Sequence, residues 1–346
     1  MKRCTAKARR ELTWIASVMG ALLVAAPLTA KATHHEAHPS ISRSEASVND
    51  AIKHLERRDA KGHELVNGWF ALLSTTGNTH GITSSTADEL AQSQRIVLPY
   101  LDESFQLQRA DGTRYDKYNY APINIDDFFI KDVISSSPAD GVIVTRYWSK
   151  TPGSTTQDSL KLLNQDWAPR LTTFRWNPSA NKWQVASHAN FNTPIAALCD
   201  RAVHKMAPLE SKASDHSQKL GISLANQWFL SLQNRTAEAM IHPAAQSQSA
   251  SGAGYKGREN FIPATIGSFK LSDYHATRNG NLITVTLLMT QKGAFYRNKL
   301  LADKPSPRLL TFLLTSAGKW EMVASALFST LDQKHMDLKC LATNKT

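Results

Sequence analysis

The side chains best suited to chemistry lie in two short runs, Arg170-Leu171-Thr172-Thr173-Phe174-Arg175-Trp176 and Trp183-Gln184-Val185-Ala186-Ser187-His188-Ala189-Asn190-Phe191. Both read as strands, and successive side chains of a strand point to opposite faces. One register therefore groups Arg170, Thr172, Phe174 and Trp176 with Val185, Ser187, Ala189 and Phe191. The other groups Leu171, Thr173 and Arg175 with Ala186, His188 and Asn190, joined by Arg146 from the strand before. In the second grouping His188 is the candidate catalytic residue, because an imidazole among polar partners can act as a general base or polarise a substrate oxygen. Its competing reading is structural, with His188 and Arg175 at an internal contact and paired to acids or carbonyls.

Arg170 and Arg308 each follow a proline and open a strand. A guanidinium at a pocket mouth suits a carboxylate or phosphate, but an inner salt bridge to Asp126 or Asp273 fits equally. Tyr115, Tyr118 and Tyr120 cluster where they could close a pocket around an apolar ligand or serve as packing. Cys199 and Cys340 are a candidate disulfide and too far apart in sequence to read as a metal motif. At Thr33-His34-His35 a new N-terminus could assemble a square-planar nitrogen set for Cu(II) or Ni(II). Pro39 and the serines that follow favour a solvated leader instead, and no metal site is assigned. Phosphate-loop, paired C-x-x-C and G-x-S-x-G patterns are missing from the sequence, which removes the usual support for nucleotide, zinc-ribbon and serine-hydrolase chemistry.

Composition bounds the rest. The hydrophobic content of 42% and charged content of 20% are those of an ordinary folded chain, not a polytopic membrane protein, a coiled coil or a disordered segment. Much of the net charge of +11 lies at the start, where Lys2, Arg3, Lys7, Arg9, Arg10 and Lys31 face only Glu11. The remainder has no dense basic run, so a nucleic-acid partner is not expected. A cationic start, an apolar stretch from Leu12 to Leu28 and Ala30-Lys31-Ala32 read as an export signal cleaved after Ala32. Pro27 shortens the apolar run, so stable membrane insertion is not expected once the signal is removed. Arg9-Arg10 leaves twin-arginine export open. The expected location is periplasmic or secreted.

The chain contains itself twice. Asn119 to Phe128 aligns without a gap on Asn260 to Phe269, an offset of 141 that also carries Val144-Thr145 onto Val285-Thr286. Pro169-Arg170-Leu171-Thr172-Thr173-Phe174 matches Pro307-Arg308-Leu309-Leu310-Thr311-Phe312. Lys182-Trp183 with Ala189 and Phe191 matches Lys319-Trp320 with Ala326 and Phe328, and Trp69-Phe70 pairs with Trp228-Phe229. At the places of His188, Asn190, Arg175 and Arg146 the second copy has Ser325, Leu327, Leu313 and Leu287, so a polar reaction centre would belong to the first copy alone. The expected organisation is a signal over 1–32, a leader over 33–49, domain 1 over 50–195, a connector over 196–219, domain 2 over 220–332 and a tail over 333–346.

Each copy reads as helix first and strands later. Asp50 is a candidate cap for a helix carrying Leu55, Leu65, Trp69, Phe70 and Leu73, broken near Gly62 and ended by Gly77. In the second copy Leu220, Leu224, Trp228 and Leu232 take that part. Val142 to Trp148, Leu171 to Trp176 and Trp183 to Phe191 alternate or run apolar, and Leu282 to Met289, Leu309 to Leu314 and Trp320 to Phe328 repeat them. The implied class is α+β, helices packed on a curved antiparallel sheet.

This order of elements, the Trp-Phe of the first helix and the two closing strands resemble the nuclear transport factor 2-like (NTF2-like) superfamily in its SnoaL-like branch, over nearly all of residues 50 to 332. The resemblance implies two tandem cone-shaped α+β barrels, each with a pocket at its open end, joined through their outer sheet faces as an internal pseudo-dimer. By comparison with the isomerase branch, Ala189/Phe191 and Ala326/Phe328 line the pockets, giving Tyr118, Tyr120, Arg170, Thr172, Phe174, Trp176, Phe191, Arg308, Phe312 and Phe328 as ligand-binding residues. On that register the isomerase's strand carboxylate falls at Thr172 and Leu310, neither of which can abstract a proton. The implied activities are binding of a small apolar or amphipathic molecule without a tightly held cofactor, a SnoaL-type lyase, isomerase or hydrolase acting through His188, or a non-catalytic envelope interaction module.

Overall fold

The computed structural model describes residues 45–76, 87–120, 125, 127–152, 167–191, 206–207, 209, 214–261, 264–296, 299–300 and 305–328, all within one compact body. The expected signal, leader and tail, and both Cys199 and Cys340, lie outside these residues.

The first half opens with α1 (Glu45–Lys53), α2 (Gly62–Thr75) and α3 (Ala87–Val97), followed by β1 (Leu101–Arg109), β2 (Arg114–Asp116), β3 (Phe129–Ala139), β4 (Val142–Lys150), β5 (Ala168–Asn177) and β6 (Lys182–Asn190). The second half has α4 (Asp215–Gln233), β7 (Ile241–Ser249), β8 (Gly254–Lys256), β9 (Ser268–Asn279), β10 (Leu282–Lys292), a small hairpin of β11 (Phe295–Tyr296) and β12 (Lys299–Leu300), then β13 (Ser306–Leu314) and β14 (Trp320–Leu327). Each half forms a six-stranded sheet, β2-β1-β6-β5-β4-β3 in one and β8-β7-β14-β13-β10-β9 in the other. The orders are the same strand for strand. All neighbours are antiparallel except β1 with β6 and β7 with β14, which makes both sheets mixed rather than purely antiparallel.

One face of each sheet holds its helices. Trp69 and Phe70 of α2 are buried, as are Trp228 and Phe229 of α4. Phe70 packs on Phe128 and Phe229 on Phe269, each pair with ring centroids 5.7 Å apart. Gly62 and Gly221 occupy equivalent places seven residues before those tryptophans. A Cβ on Gly62 would overlap Ser135 of β3, and one on Gly221 would overlap Ala276 of β9. The helical stretch is interrupted just before Gly62, as expected, and at Gly62, the first residue of α2, the helix lies too close to β3 for a side chain. Asp50 is not the cap: it lies within α1 and pairs with Lys53 at 2.9 Å.

The opposite faces of the two sheets pack on each other. Val142, Val144, Leu171, Ala186, Ala189 and Phe191 form one apolar cluster with Leu282, Leu309, Leu313, Val323, Ala324, Ala326 and Phe328. At its centre, polar contacts repeat in near-symmetric pairs. Gln106 Nε2 donates to the Thr284 carbonyl at 2.8 Å, and Gln246 Nε2 to the Val144 carbonyl at 2.7 Å. Thr277 Oγ1 donates to the Ser104 carbonyl at 2.9 Å, and Ser136 Oγ to the Ala244 carbonyl at 2.7 Å. The duplication thus builds an internal pseudo-dimer, each unit donating a buried glutamine Nε2 to a backbone carbonyl of the other.

The pairing also corrects the alignment of the copies. Thr145 faces Thr172 across β4 and β5, whereas Val285 faces Leu310 across β10 and β13. Val144 and Thr145 therefore correspond to Thr284 and Val285, an offset one shorter than the 141 read from the sequence. Arg146 matches Thr286, and Tyr147 matches Leu287.

Candidate functional site

The interior of the first unit is set by a β-bulge. Along β5 and β6, Arg170 faces Asn190, Thr172 faces His188 and Thr173 faces Ser187, but Phe174 faces Val185, leaving Ala186 as the extra residue. A bulge shifts the alternation by one, so residues before and after it that differ in parity reach the same face. Neither sequence register survives whole. The helix-side face carries Arg170, Thr172, Phe174 and Trp176 together with Trp183, Val185, His188 and Asn190, while Leu171, Ala186, Ala189 and Phe191 turn to the other unit.

Two corrections follow. Phe191 and Phe328 do not line cups: they stack on each other across the boundary between the units, with centroids 4.5 Å apart. Arg175 also leaves the proposed His188 group and pairs with buried Asp102 at 3.3 Å, beside Asn279, which donates to the same carboxylate at 2.8 Å. The structural reading is thus right for Arg175 and wrong for His188. Arg146 runs outward as well, against Gly254 of β8, and its Nε is buried without an acceptor among the described residues.

Within the first cup, His188 Nδ1 and Thr172 Oγ1 are 2.8 Å apart, and Thr172 Oγ1 and the Tyr147 hydroxyl 3.0 Å. The His188 ring lies 6.5 Å from that of Trp69, which in turn stacks on Tyr120 at 6.3 Å. Register adds a residue the sequence reading passed over. Leu107 of β1 pairs with His188 and Arg109 with Asn190, which puts Arg109 on the same face as Arg170. Arg109, Arg170, His188 and Asn190 are each at most 4% exposed.

Electrostatics agree with that placement. Burial, then the charges of Arg170 and Arg109, drive the His188 pKa well below its ordinary value, so the ring is neutral. Burial holds the Arg170 guanidinium down to about 10, with Tyr147 opposing and Arg109 adding to the effect. The Tyr120 and Tyr147 hydroxyls are pushed up, chiefly by burial. Arg170 donates to the Pro169 carbonyl at 2.8 Å. Of the acids offered as salt-bridge partners, Asp273 accepts from the Met206 amide, and Asp126 lies outside the described residues. Two donors, Arg109 Nε and Trp69 Nε1, are buried with no acceptor among the described residues.

The remaining candidates divide. Phe174 and Trp176 belong to the first apolar core and Phe312 to the second, while Tyr120 is buried against Phe105 and Tyr115. Tyr118 is 64% exposed, its hydroxyl donating to Glu103 at 2.9 Å, so it does not close the cup. Arg308 is buried in the second unit and donates to Ser306 Oγ and the Pro307 carbonyl. A separate cleft of about 520 Å³ lies between the start of α2 and the β3–β4 hairpin, lined by Arg58, Lys61, Ser135, Asp140 and Trp183 among others. None of the predicted site residues reaches it. No cluster of His, Cys, Asp and Glu that could hold a metal occurs among the described residues.

No protein-family model matches this sequence, and no curated protein matches it. Solved structures do. An NTF2-like protein from Cytophaga hutchinsonii is 16% identical, covering 32% of this chain and 97% of its own, with a TM-score of 0.29. An NTF2-like protein of unknown function in nutrient uptake from Rhodospirillum rubrum is 12% identical over 33% of this chain and 98% of its own, TM-score 0.28. A protein provisionally named a ketosteroid isomerase, from Parabacteroides distasonis, is 10% identical over 34% and 90%, TM-score 0.26. The element and sheet orders given above decide the architecture. Each unit is an α+β layer of helices on one face of a six-stranded mixed sheet, and NTF2-like proteins are among the solved structures to which the chain is similar. The two units differ in what fills the space between helices and sheet.

Proposed function

We propose that this protein is an exported small-molecule-binding protein whose first NTF2-like cup takes an apolar or amphipathic ligand, without a tightly held cofactor. The observation that carries this reading is the pair of buried donors in one cup, Trp69 Nε1 and Arg109 Nε, left without acceptors beside an aromatic wall of Trp69, Phe105 and Tyr120. Leaving a buried donor unmade costs about 1–3 kcal/mol, a cost that a ligand offering acceptors would relieve. Ligand sites combine apolar walls with a few converging polar groups, as here. Export rests on the cationic, apolar and small-residue pattern of residues 1–32.

Native mass spectrometry of the protein recovered from the periplasm tests both parts. The expected result is a chain beginning at Thr33 and carrying a small organic adduct that denaturation releases. A chain that keeps residues 1–32, or one with no adduct and no thermal shift from any apolar or amphipathic compound, overturns the corresponding part.

A second reading, a SnoaL-type lyase, isomerase or hydrolase, rests on the chain His188–Thr172–Tyr147. A neutral imidazole there is competent to accept a proton only from a substrate whose charge offsets Arg109 and Arg170. Turnover lost in His188→Ala with ligand binding retained would place this reading first.

A further inference from the structure

We propose that the polar end of the first cup binds an anionic group, a carboxylate or phosphate, on the molecule it takes; this inference rests on the reading of that cup as a ligand site. Arg109 and Arg170 enter from strands on either side of β6, and both are buried. No carboxylate reaches either guanidinium among the described residues. Two like charges in a low-dielectric interior are strongly unfavourable without a counter-charge, and proteins otherwise pair such groups or shed the charge.

Shedding is not open to arginine, which stays protonated at neutral pH, Arg170 included with its pKa held down to about 10. The neighbours do not neutralise them either. Tyr120 and Tyr147 keep their protons, His188 is neutral and Thr172 is uncharged. The donors Arg109 Nε and Trp69 Nε1 are buried with no acceptor among the described residues, and Ser149 Oγ, two residues along β4 from Tyr147 on the same face, has no partner among them either. What the cup lacks is negative charge carried on acceptor oxygens. A planar carboxylate or a phosphate facing guanidinium groups supplies both, and guanidinium is the side chain best matched to them.

The second cup argues that this is a property of one site and not of the fold. The place of Arg109 is taken there by Ser249, that of Tyr147 by Leu287 and that of His188 by Ser325. Arg308 alone remains, with Ser306 and the Pro307 carbonyl as acceptors.

The test is thermal denaturation of the full mature chain, stripped of adducts by refolding, with acetate, benzoate, decanoate and inorganic phosphate, each beside a neutral counterpart: acetamide, benzamide, decanol and glycerol. The expected result is a rise in Tm with at least one anion that its neutral counterpart does not produce, and an affinity for that anion at least tenfold weaker in Arg109→Met. The carboxylate and phosphate arms separate the two sources. Equal shifts from anion and neutral partner overturn the anionic assignment and leave the cup as a binding site; no shift from any compound overturns both. Arg109→Met read without ligand keeps the test sharp, because removing an uncompensated buried charge raises Tm. A lower Tm with the anion response intact assigns Arg109 to holding the fold and overturns the proposal.

Discussion

The two units share every strand neighbour and differ in what their cups contain. In the first, Tyr147, Thr172, His188, Arg109 and Arg170 form a polar, cationic end. In the second, Leu287 and Leu310 replace Tyr147 and Thr172, Phe261 replaces Tyr120, and the interior joins Trp228, Ile283, Phe312 and Met322 in a continuous apolar core. A copied fold does not preserve a copied site. One cup has spent its interior on packing, and the other keeps polar groups that cost stability and are worth that cost only if something binds them.

That contrast can be broken where the second cup is densest. Phe312→Ala removes a fully buried ring and is expected to cost about 3–5 kcal/mol, read from the midpoint of urea unfolding. A loss under about 1 kcal/mol would mean that the second cup is not the packed partner.

The interface sharpens it next. Gln106 makes bonds through both ends of its amide, donating to the Thr284 carbonyl and Thr277 Oγ1 and accepting from Thr286 Oγ1 at 2.6 Å. In Gln246, the equivalent residue, Nε2 donates to Val144 and Ser136, but Oε1 is buried without a partner among the described residues, Arg146 standing where the other unit has Thr286. Gln106→Leu is therefore expected to destabilise by about 2 kcal/mol and Gln246→Leu by roughly 1 kcal/mol less, compared in the same denaturation series. Equal losses would dismiss the asymmetry.

Acid distinguishes the cups as well. His188 is held well below its ordinary pKa by burial and by Arg170 and Arg109. At the interface, His275 is pushed down to about 4 by burial and Arg114, against the opposing pull of Asp116. Both rings take up protons in the unfolded chain before they do so in the folded one, so stability is complete above about pH 6.5 and falls as pH drops toward 4. His188→Gln is expected to flatten that fall. An unchanged slope would put the acid sensitivity elsewhere. The smallest effect belongs to Tyr147→Phe, which removes the hydroxyl from the His188–Thr172 chain and is expected to cost about 0.5–1.5 kcal/mol in unfolding experiments.

Much of this was legible in advance for identifiable reasons. The strands found from Val142, Leu171, Trp183, Leu282, Leu309 and Trp320 onward announce themselves because both faces are buried, which leaves long apolar runs. β1 and β7 were passed over because their outward positions are filled by Ser104, Gln106 and Gln108, and by Gln246 and Gln248, polar residues that are buried. Arg109 was missed with β1, whose face cannot be assigned before its partner is known. His188 was singled out correctly as a polar residue of the interior, but its neighbours were drawn from the wrong face.

The linear order of residues determined that a unit was copied, that each copy packs a Trp-Phe helix on a sheet, and that the copies differ at His188 and Ser325. Tertiary structure alone decided which side chains meet. A single extra residue at Ala186 reverses the alternation along β6, turning His188 toward Arg170 and Phe191 toward Phe328. A bulge has no side-chain signature of its own, because it is a property of how two strands are paired.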